Sequence, residues 1–204
     1  MPVLVLDLDG VVVRGHPDGG RWDKNLERDL GIDASAMQEK FFGPHFQNIA
    51  IGEADLFDTL DRVWPELSCK ATAREFIDNW FQMDSRLDRD VLGLVDAWRG
   101  TGLRAYLATI QEHHRARHIW NIVGEHFDRM FYSAELGARK PDPLFYERVM
   151  ERLPGVVASD VIFLDDSVAN VEAAAASGWN ARHFTSSEDL RDAIGQIPEI
   201  ATTL

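Results

Sequence analysis

The residues best placed for chemistry are two carboxylates one position apart, Asp7 and Asp9, in the run Val3-Leu4-Val5-Leu6-Asp7-Leu8-Asp9-Gly10. Acidic groups this close repel, so either one holds a proton or a cation lies between them. Gly10 follows, and a residue without a Cβ lets the backbone turn sharply or approach a ligand closely. The pattern suits metal-assisted chemistry on an anionic substrate, although this segment alone is equally compatible with a strand ending in two solvated aspartates. A second pair, Asp165-Asp166, closes the apolar run Val161-Ile162-Phe163-Leu164 and precedes Ser167. Thr109 closes another apolar run, where its hydroxyl and the backbone N–H groups after it can hold a phosphoryl oxygen. Lys140 stands in the loop Gly137-Ala138-Arg139-Lys140-Pro141-Asp142-Pro143 of a chain with four lysines against seventeen arginines, so it is not background usage. A lysine there is a compact charge able to offset both a carboxylate and a phosphate. If the Asp165 run lies beside the Asp7 run, four carboxylates converge and need a cation. Mg2+ suits such a site, because it prefers oxygen ligands and keeps several waters.

The elements that must position these groups follow from apolar patterning. Val3 to Leu6 reads as a buried parallel strand, which lacks polar alternation because both its faces are covered. Further strands are predicted at Leu103 to Thr109, Met130 to Ser133, Val161 to Asp165 and Ala181 to Phe184. Helical patterns fall between them: Asp90 to Trp98, Glu112 to Val123, Leu144 to Leu153 after the Asp142-Pro143 cap, Asn170 to Ser177, and a last helix from Ser186 or Ser187 through Ile194. This alternation implies βαβ units with right-handed crossovers. In such sheets ligands gather at the carboxyl ends of the strands, where the aspartates and Thr109 lie.

The stretch between the first two strands is too long for one crossover. It opens with the turn-rich Arg14 to Gly20, then carries four helical patterns, Lys24 to Leu30, Ser35 to Phe42, Glu53 to Val63 and Ala73 to Met83. The expected architecture is therefore α/β, a Rossmann-like parallel sheet flanked by helices, with a small helical cap inserted after the first strand. The expected division is a core of residues 1–15 and 88–204 and a cap of residues 16–87, hinged near Gly15 and Arg86 to Asp90.

Composition narrows the partners. A formal charge of −13 disfavours nucleic acid, which needs a basic stripe, and anionic membrane surfaces. It is compatible with a small phosphorylated molecule, because a bound divalent cation inverts the local field. The lone cysteine, Cys69, has no partner for an internal disulfide, and the N-terminus lacks a signal-peptide pattern; both fit a cytoplasmic location.

Taken together, Asp7-Leu8-Asp9-Gly10, Thr109, Lys140-Pro141-Asp142-Pro143 and Asp165-Asp166-Ser167 resemble the four motifs of the haloacid-dehalogenase-like hydrolase superfamily, in order and spacing over essentially the whole chain. The stretch Asp165 to Ala174 is similar to small bacterial sugar-phosphate phosphatases of the α-D-glucose-1-phosphate type. The resemblance implies Asp7 as nucleophile, forming an aspartyl-phosphate, and Asp9 as general acid and base. It implies Mg2+ on the carboxylates of Asp7 and Asp166 and the Asp9 carbonyl, with Asp165 as a further or supporting ligand. Thr109 and the backbone N–H groups of Leu8, Asp9 and Ile110 would hold the phosphoryl oxygens, and Lys140 would fix Asp7. Two departures stand out: Ile110 replaces a frequent Asn, and Asn170 a frequent Asp. The implied activity is Mg2+-dependent hydrolysis of a small phosphorylated metabolite, a sugar phosphate first. A phosphomutase of the same fold and a non-catalytic binding or regulatory protein are the alternatives. Dehalogenases of the superfamily lack an acid at the Asp9 position.

Other residues carry weaker signals. Arg14 and His16 follow the first motif closely enough to reach a substrate. Trp22, Phe41, Phe42, His45, Phe46, Gly52 and Glu53 are candidate entrance residues of the cap. Glu112, His113, His114 and His118 lack the order of a zinc motif, and with Arg115 and Arg117 they read as a solvated helix face.

Overall fold

A computed structural model describes residues 1–67 and 69–195. Five parallel strands form one sheet in the order β3-β2-β1-β4-β5. They are β1 (Val3–Leu6), β2 (Arg104–Thr109), β3 (Arg129–Tyr132), β4 (Val161–Asp165) and β5 (Asn180–His183). β1 lies at the centre, with Leu6 level with Leu107 on β2 and with Leu164 on β4. The period-2 alternation of the strands divides their side chains between two apolar layers. Leu4, Leu6, Leu107, Ile162 and Leu164 enter one, while Val3, Val5, Ala108, Phe131 and Phe163 enter the other.

Eleven α-helices lie within the described residues. The first five are α1 (Leu26–Leu30), α2 (Ala34–Met37), α3 (Gly43–Ala50), α4 (Leu56–Val63) and α5 (Ala73–Met83). After them come α6 (Arg89–Gly100), α7 (His113–Val123), α8 (Ser133–Leu136), α9 (Pro143–Glu151), α10 (Val168–Ala176) and α11 (Ser187–Gly195). None is long and apolar enough to cross a membrane. The helices between residues 22 and 83 bury an apolar cluster of their own, including Leu26, Met37, Phe41, Leu60, Phe76 and Trp80. The two chain segments joining them to the sheet pair with each other: Arg14 N–H donates to the Arg86 carbonyl at 2.8 Å, and Asp88 N–H to the Val12 carbonyl at 2.9 Å.

The helical pattern predicted to stop at Phe42 runs on instead. Gly43-Pro44 reads as a break, since proline lacks an N–H and its ring clashes with the carbonyl four residues back. The chain absorbs this with a π turn over Gln38–Phe42, in which the Gly43 N–H donates to the Gln38 carbonyl, and then continues as α3.

Candidate active site

The carboxyl ends of β1, β2 and β4 deliver Asp7, Thr109 and Asp165 to one edge of the sheet, and the loop before α9 brings Lys140 beneath them. Lys140 is buried, and its Nζ is 2.8 Å from Asp7 Oδ1, 2.5 Å from Asp165 Oδ2 and 2.8 Å from the Ala108 carbonyl. Three acceptors thus use the three N–H bonds of the ammonium. Asp165 also accepts from the Ser167 N–H at 2.8 Å and from the Asn170 amide at 3.0 and 3.1 Å. The Asn170 amide thus meets this buried carboxylate as an uncharged donor, where an aspartate would add a like charge.

Asp7, Asp9, Gly10, Thr109, Ile110, Lys140 and Asp166 line one open cavity of 530 Å³, together with Arg139, Ser167 and Asn170. Six of the eight site residues expected from sequence therefore meet there. The other two lie behind it: Asp165 is wholly buried, and the Leu8 side chain belongs to the core. Thr109 Oγ1 is buried at the cavity without a hydrogen-bond partner among the described residues. A buried hydroxyl left unsatisfied is costly, and here it marks a position for an acceptor oxygen.

Charge is concentrated to match. One carboxylate oxygen each from Asp7, Asp165 and Asp166 lies within 4.8 Å of the others, an all-oxygen set that fits a hard divalent cation. Burial pushes the Asp7 carboxyl up to about 7, Lys140 opposes the rise, and the charges of Asp165 and Asp9 add to it. Asp166 is raised by burial and then by the charge of Asp165. Burial works to lower the Lys140 ammonium, but Asp7 and Asp165 outweigh it and hold it above the usual lysine range. Gly10, at φ +83°, lies hard against the cluster, because a Cβ there would collide with the Asp166 carboxylate.

Residues 1–178 match the family model for haloacid dehalogenase-like hydrolase. The chain belongs to the haloacid dehalogenase-like hydrolase family. It is 34% identical over 120 residues to the sesquiterpene phosphatase astK of Aspergillus oryzae, a match covering 54% of this chain. It is 31% identical over 146 residues to flavin mononucleotide hydrolase 1 of Arabidopsis thaliana, covering 63% of this chain. Each match spans 59% of the relative's own length. Among solved structures the chain resembles a HAD family enzyme from Bacteroides thetaiotaomicron, with a TM-score of 0.75 at 18% identity over 94% of this chain and 97% of that one. That enzyme has also been solved in complex with magnesium and inorganic phosphate, in a structure matching with a TM-score of 0.73 at 19% identity over 91% of this chain and 94% of that one. A predicted HAD-like hydrolase from Porphyromonas gingivalis matches equally well, at 0.75 and 16% identity over 97% of both chains.

Several secondary candidates fall elsewhere. Arg14 Nη1 donates to the Gly10 carbonyl, its Nε lies 3.7 Å from Asp88, and its guanidinium stacks over Phe184. His16 is buried against Asn25 and Asp18. Phe41 is buried, whereas Trp22, Phe42 and Phe46 line a 260 Å³ pocket among the helices between residues 22 and 83. Gly52 backs onto the Ala134 carbonyl of the core. His114 meets Asp55 at 2.9 Å, and His118 packs on Phe81.

One sequence reading is corrected. Arg115 does not lie on a solvated face; it is 2% exposed and grips Asp9. Its Nη2 lies 2.9 Å from Asp9 Oδ1 and its Nη1 3.1 Å from Oδ2. Gln111 adds a bond from Nε2 to Asp9 Oδ2 at 2.5 Å. Neither residue was singled out from sequence as functional. The available signal was Glu112, an acidic N-cap that starts α7 one residue after the strand-end loop and so aims the helix's first turn at the site.

Proposed function

We propose that this hydrolase is a Mg2+-dependent phosphatase that cleaves a small phosphate monoester through an aspartyl-phosphate on Asp7. The observation carrying this reading is the pairing of Asp7, pinned at Oδ1 by Lys140, with the unpartnered Thr109 hydroxyl across one cavity. With Oδ1 engaged, Oδ2 is the oxygen that attacks phosphorus while the bond to the leaving oxygen breaks. Asp9 supplies that oxygen with a proton, then takes one from the water that displaces Asp7 and releases inorganic phosphate. Thr109 and the backbone N–H groups of Leu8, Asp9 and Ile110 hold the phosphoryl oxygens.

The carboxylates of Asp7 and Asp166 and the Asp9 carbonyl would ligate Mg2+, which when bound offsets phosphoryl charge. Asp165, with both oxygens engaged by Lys140 and Asn170, supports the site by fixing the ammonium. The division into a core of residues 1–15 and 88–204 and a cap of 16–87 is part of this proposal, supported by the separate apolar cluster and the paired linkers. So is a cytoplasmic location, supported by the single cysteine.

A sugar phosphate is the substrate class indicated by the motif resemblance. A flatter or more apolar leaving group is the second reading, favoured by relatives named for sesquiterpene phosphatase and flavin mononucleotide hydrolase activities. The test is phosphate release with Mg2+ from para-nitrophenyl phosphate, glucose 1-phosphate, flavin mononucleotide, phosphoglycolate and a prenyl phosphate. Turnover abolished by chelation and by Asp7→Asn supports the mechanism. Undiminished activity of Asp7→Asn, or a panel without any turnover, overturns it. Turnover only in the presence of a bisphosphorylated sugar would assign a mutase.

A further inference from the structure

Arg115 neither lines the cavity nor belongs to the carboxylate cluster, yet it is buried and bonded to Asp9, which does line the cavity. It sits in the first turn of α7, whose N-cap Glu112 accepts from the His114 N–H at 2.7 Å and from the Arg115 N–H. Its guanidinium faces Asp9 on one side. On the other it meets Asp84, with Nη2 2.9 Å from the Asp84 carbonyl and 3.0 Å from its Oδ2. Asp84 is the residue that ends α5, the last cap helix, two positions before Arg86 in the returning linker. One buried side chain therefore holds the expected general acid and the end of the cap together.

The geometry of the grip matters. Two N–H groups on two carboxylate oxygens fix the plane of the carboxylate as well as its distance, which a lysine's single point charge cannot do. Gln111 closes a third side at Oδ2. Asp9 is otherwise half-exposed at the cavity edge, where an aspartate with free χ angles would sample several directions. Further contacts seat the cap on the same part of the core. His114 meets Asp55, and Ser133 Oγ donates to the Ala50 carbonyl at the end of α3 while accepting from the Gln111 N–H at 3.0 Å.

We infer that Arg115 is a positioning residue for Asp9, with Gln111 as its partner, and that through Asp84 it makes the presentation of Asp9 to the leaving oxygen depend on the seating of the cap. The inference rests on the phosphatase reading above, and it adds two residues and a link that the four motifs do not contain.

The experiment compares kcat/KM for two esters in the full-length protein with Mg2+. Para-nitrophenolate departs without a proton, whereas an alkoxide needs one. In Arg115→Lys the loss on an alkyl phosphate should be about tenfold or more, against a few-fold at most on para-nitrophenyl phosphate. Asp84→Asn should show the same leaving-group bias more weakly. Equal losses on both esters, or no loss on either, overturn the inference. If Arg115→Lys does not fold by circular dichroism, Gln111→Ala decides, because it removes one bond to Asp9 and leaves the Arg115 cluster whole. Wild-type protein that hydrolyses neither ester overturns the phosphatase reading and the inference with it; wild-type activity with an unbiased Arg115→Lys overturns the inference alone.

Discussion

Lys140 and Asp165 form a wholly buried ion pair, with side chains 1% and 0% exposed and Nζ 2.5 Å from Oδ2. Asp165 is thereby spent on structure: both its oxygens are occupied, and what it presents to the site is an ammonium held in place for Asp7. Apolar patterning places Asp165 and Asp166 side by side at a strand end, and the motif resemblance gives Asp166 the metal and Asp165 a further or supporting part. The fold separates them, since the strand ends on Asp165, and Asp166 turns out to the cavity.

Removing the ammonium leaves two carboxylates buried without a counter-charge. We expect Lys140→Met to destabilise the fold by about 3–5 kcal/mol, the range for breaking a buried pair by deleting one partner. Urea unfolding measures it. Asp165→Asn in the Lys140→Met background should recover part of the loss, because one stranded charge is then gone. A Lys140→Met protein as stable as wild type would contradict the buried pair.

Thr109 tests the opposite sign. Its hydroxyl has no partner among the described residues, so Thr109→Val removes an unsatisfied polar atom at nearly constant shape. Stability of the free protein should hold or rise slightly, while turnover falls and inorganic phosphate inhibits less well. Thermal unfolding and phosphate inhibition constants separate the two effects. A valine variant that loses stability while keeping phosphate affinity would show that the hydroxyl serves the fold.

The sheet and the three polar strand ends at the site were legible because their signals are local. Val3 to Leu6 and Val161 to Leu164 are uninterrupted apolar runs, each ending in carboxylates, and Asp142-Pro143 marks a helix start within four residues. Arg115 was not legible, because its environment is assembled by segments far away in sequence: Asp9 is 106 residues distant and Asp84 31. Within its own helix, His113-His114-Arg115-Ala116-Arg117-His118 has the composition of a solvated face, and tertiary pairing overrides that pattern. The continuation of α3 past Gly43-Pro44 was hidden for a related reason. A π turn satisfies the backbone there, and Ile49 and Ala50 beyond it are held by burial.

Gly10 couples backbone conformation to the metal cluster. At φ +83° an alanine is strained by roughly 1–2 kcal/mol, and its Cβ would collide with the Asp166 carboxylate. Because that carboxylate is the far end of a flexible side chain, we expect Gly10→Ala to fold, with a modest drop in unfolding midpoint, and to displace Asp166. Activity at saturating substrate should then need more Mg2+. An alanine variant with an unchanged Mg2+ requirement would show that Asp166 does not depend on the bare backbone at Gly10.

Metal binding itself is readable without catalysis. Asp166 lines the cavity and, unlike Asp165, is not tied to Lys140, so Asp166→Asn should leave the metal-free fold close to wild-type stability or raise it slightly, since burial and the charge of Asp165 already disfavour its ionised form. A cation that binds only the folded state stabilises by RT ln(1 + [L]/Kd), about 2.7 kcal/mol at a hundredfold excess over Kd. Wild-type protein should therefore melt at a higher temperature as Mg2+ is added, reversibly on chelation, and Asp166→Asn should lose most of that rise. Asp7→Asn should lose part of it as well, because the same cluster forfeits a second charged oxygen. Calcium is a control for size, since Mg2+ demands near-octahedral geometry whereas Ca2+ accepts larger and looser sets of oxygens. An Asp166→Asn protein that gains as much from Mg2+ as wild type would move the cation away from this cluster, and the role of Asp166 with it.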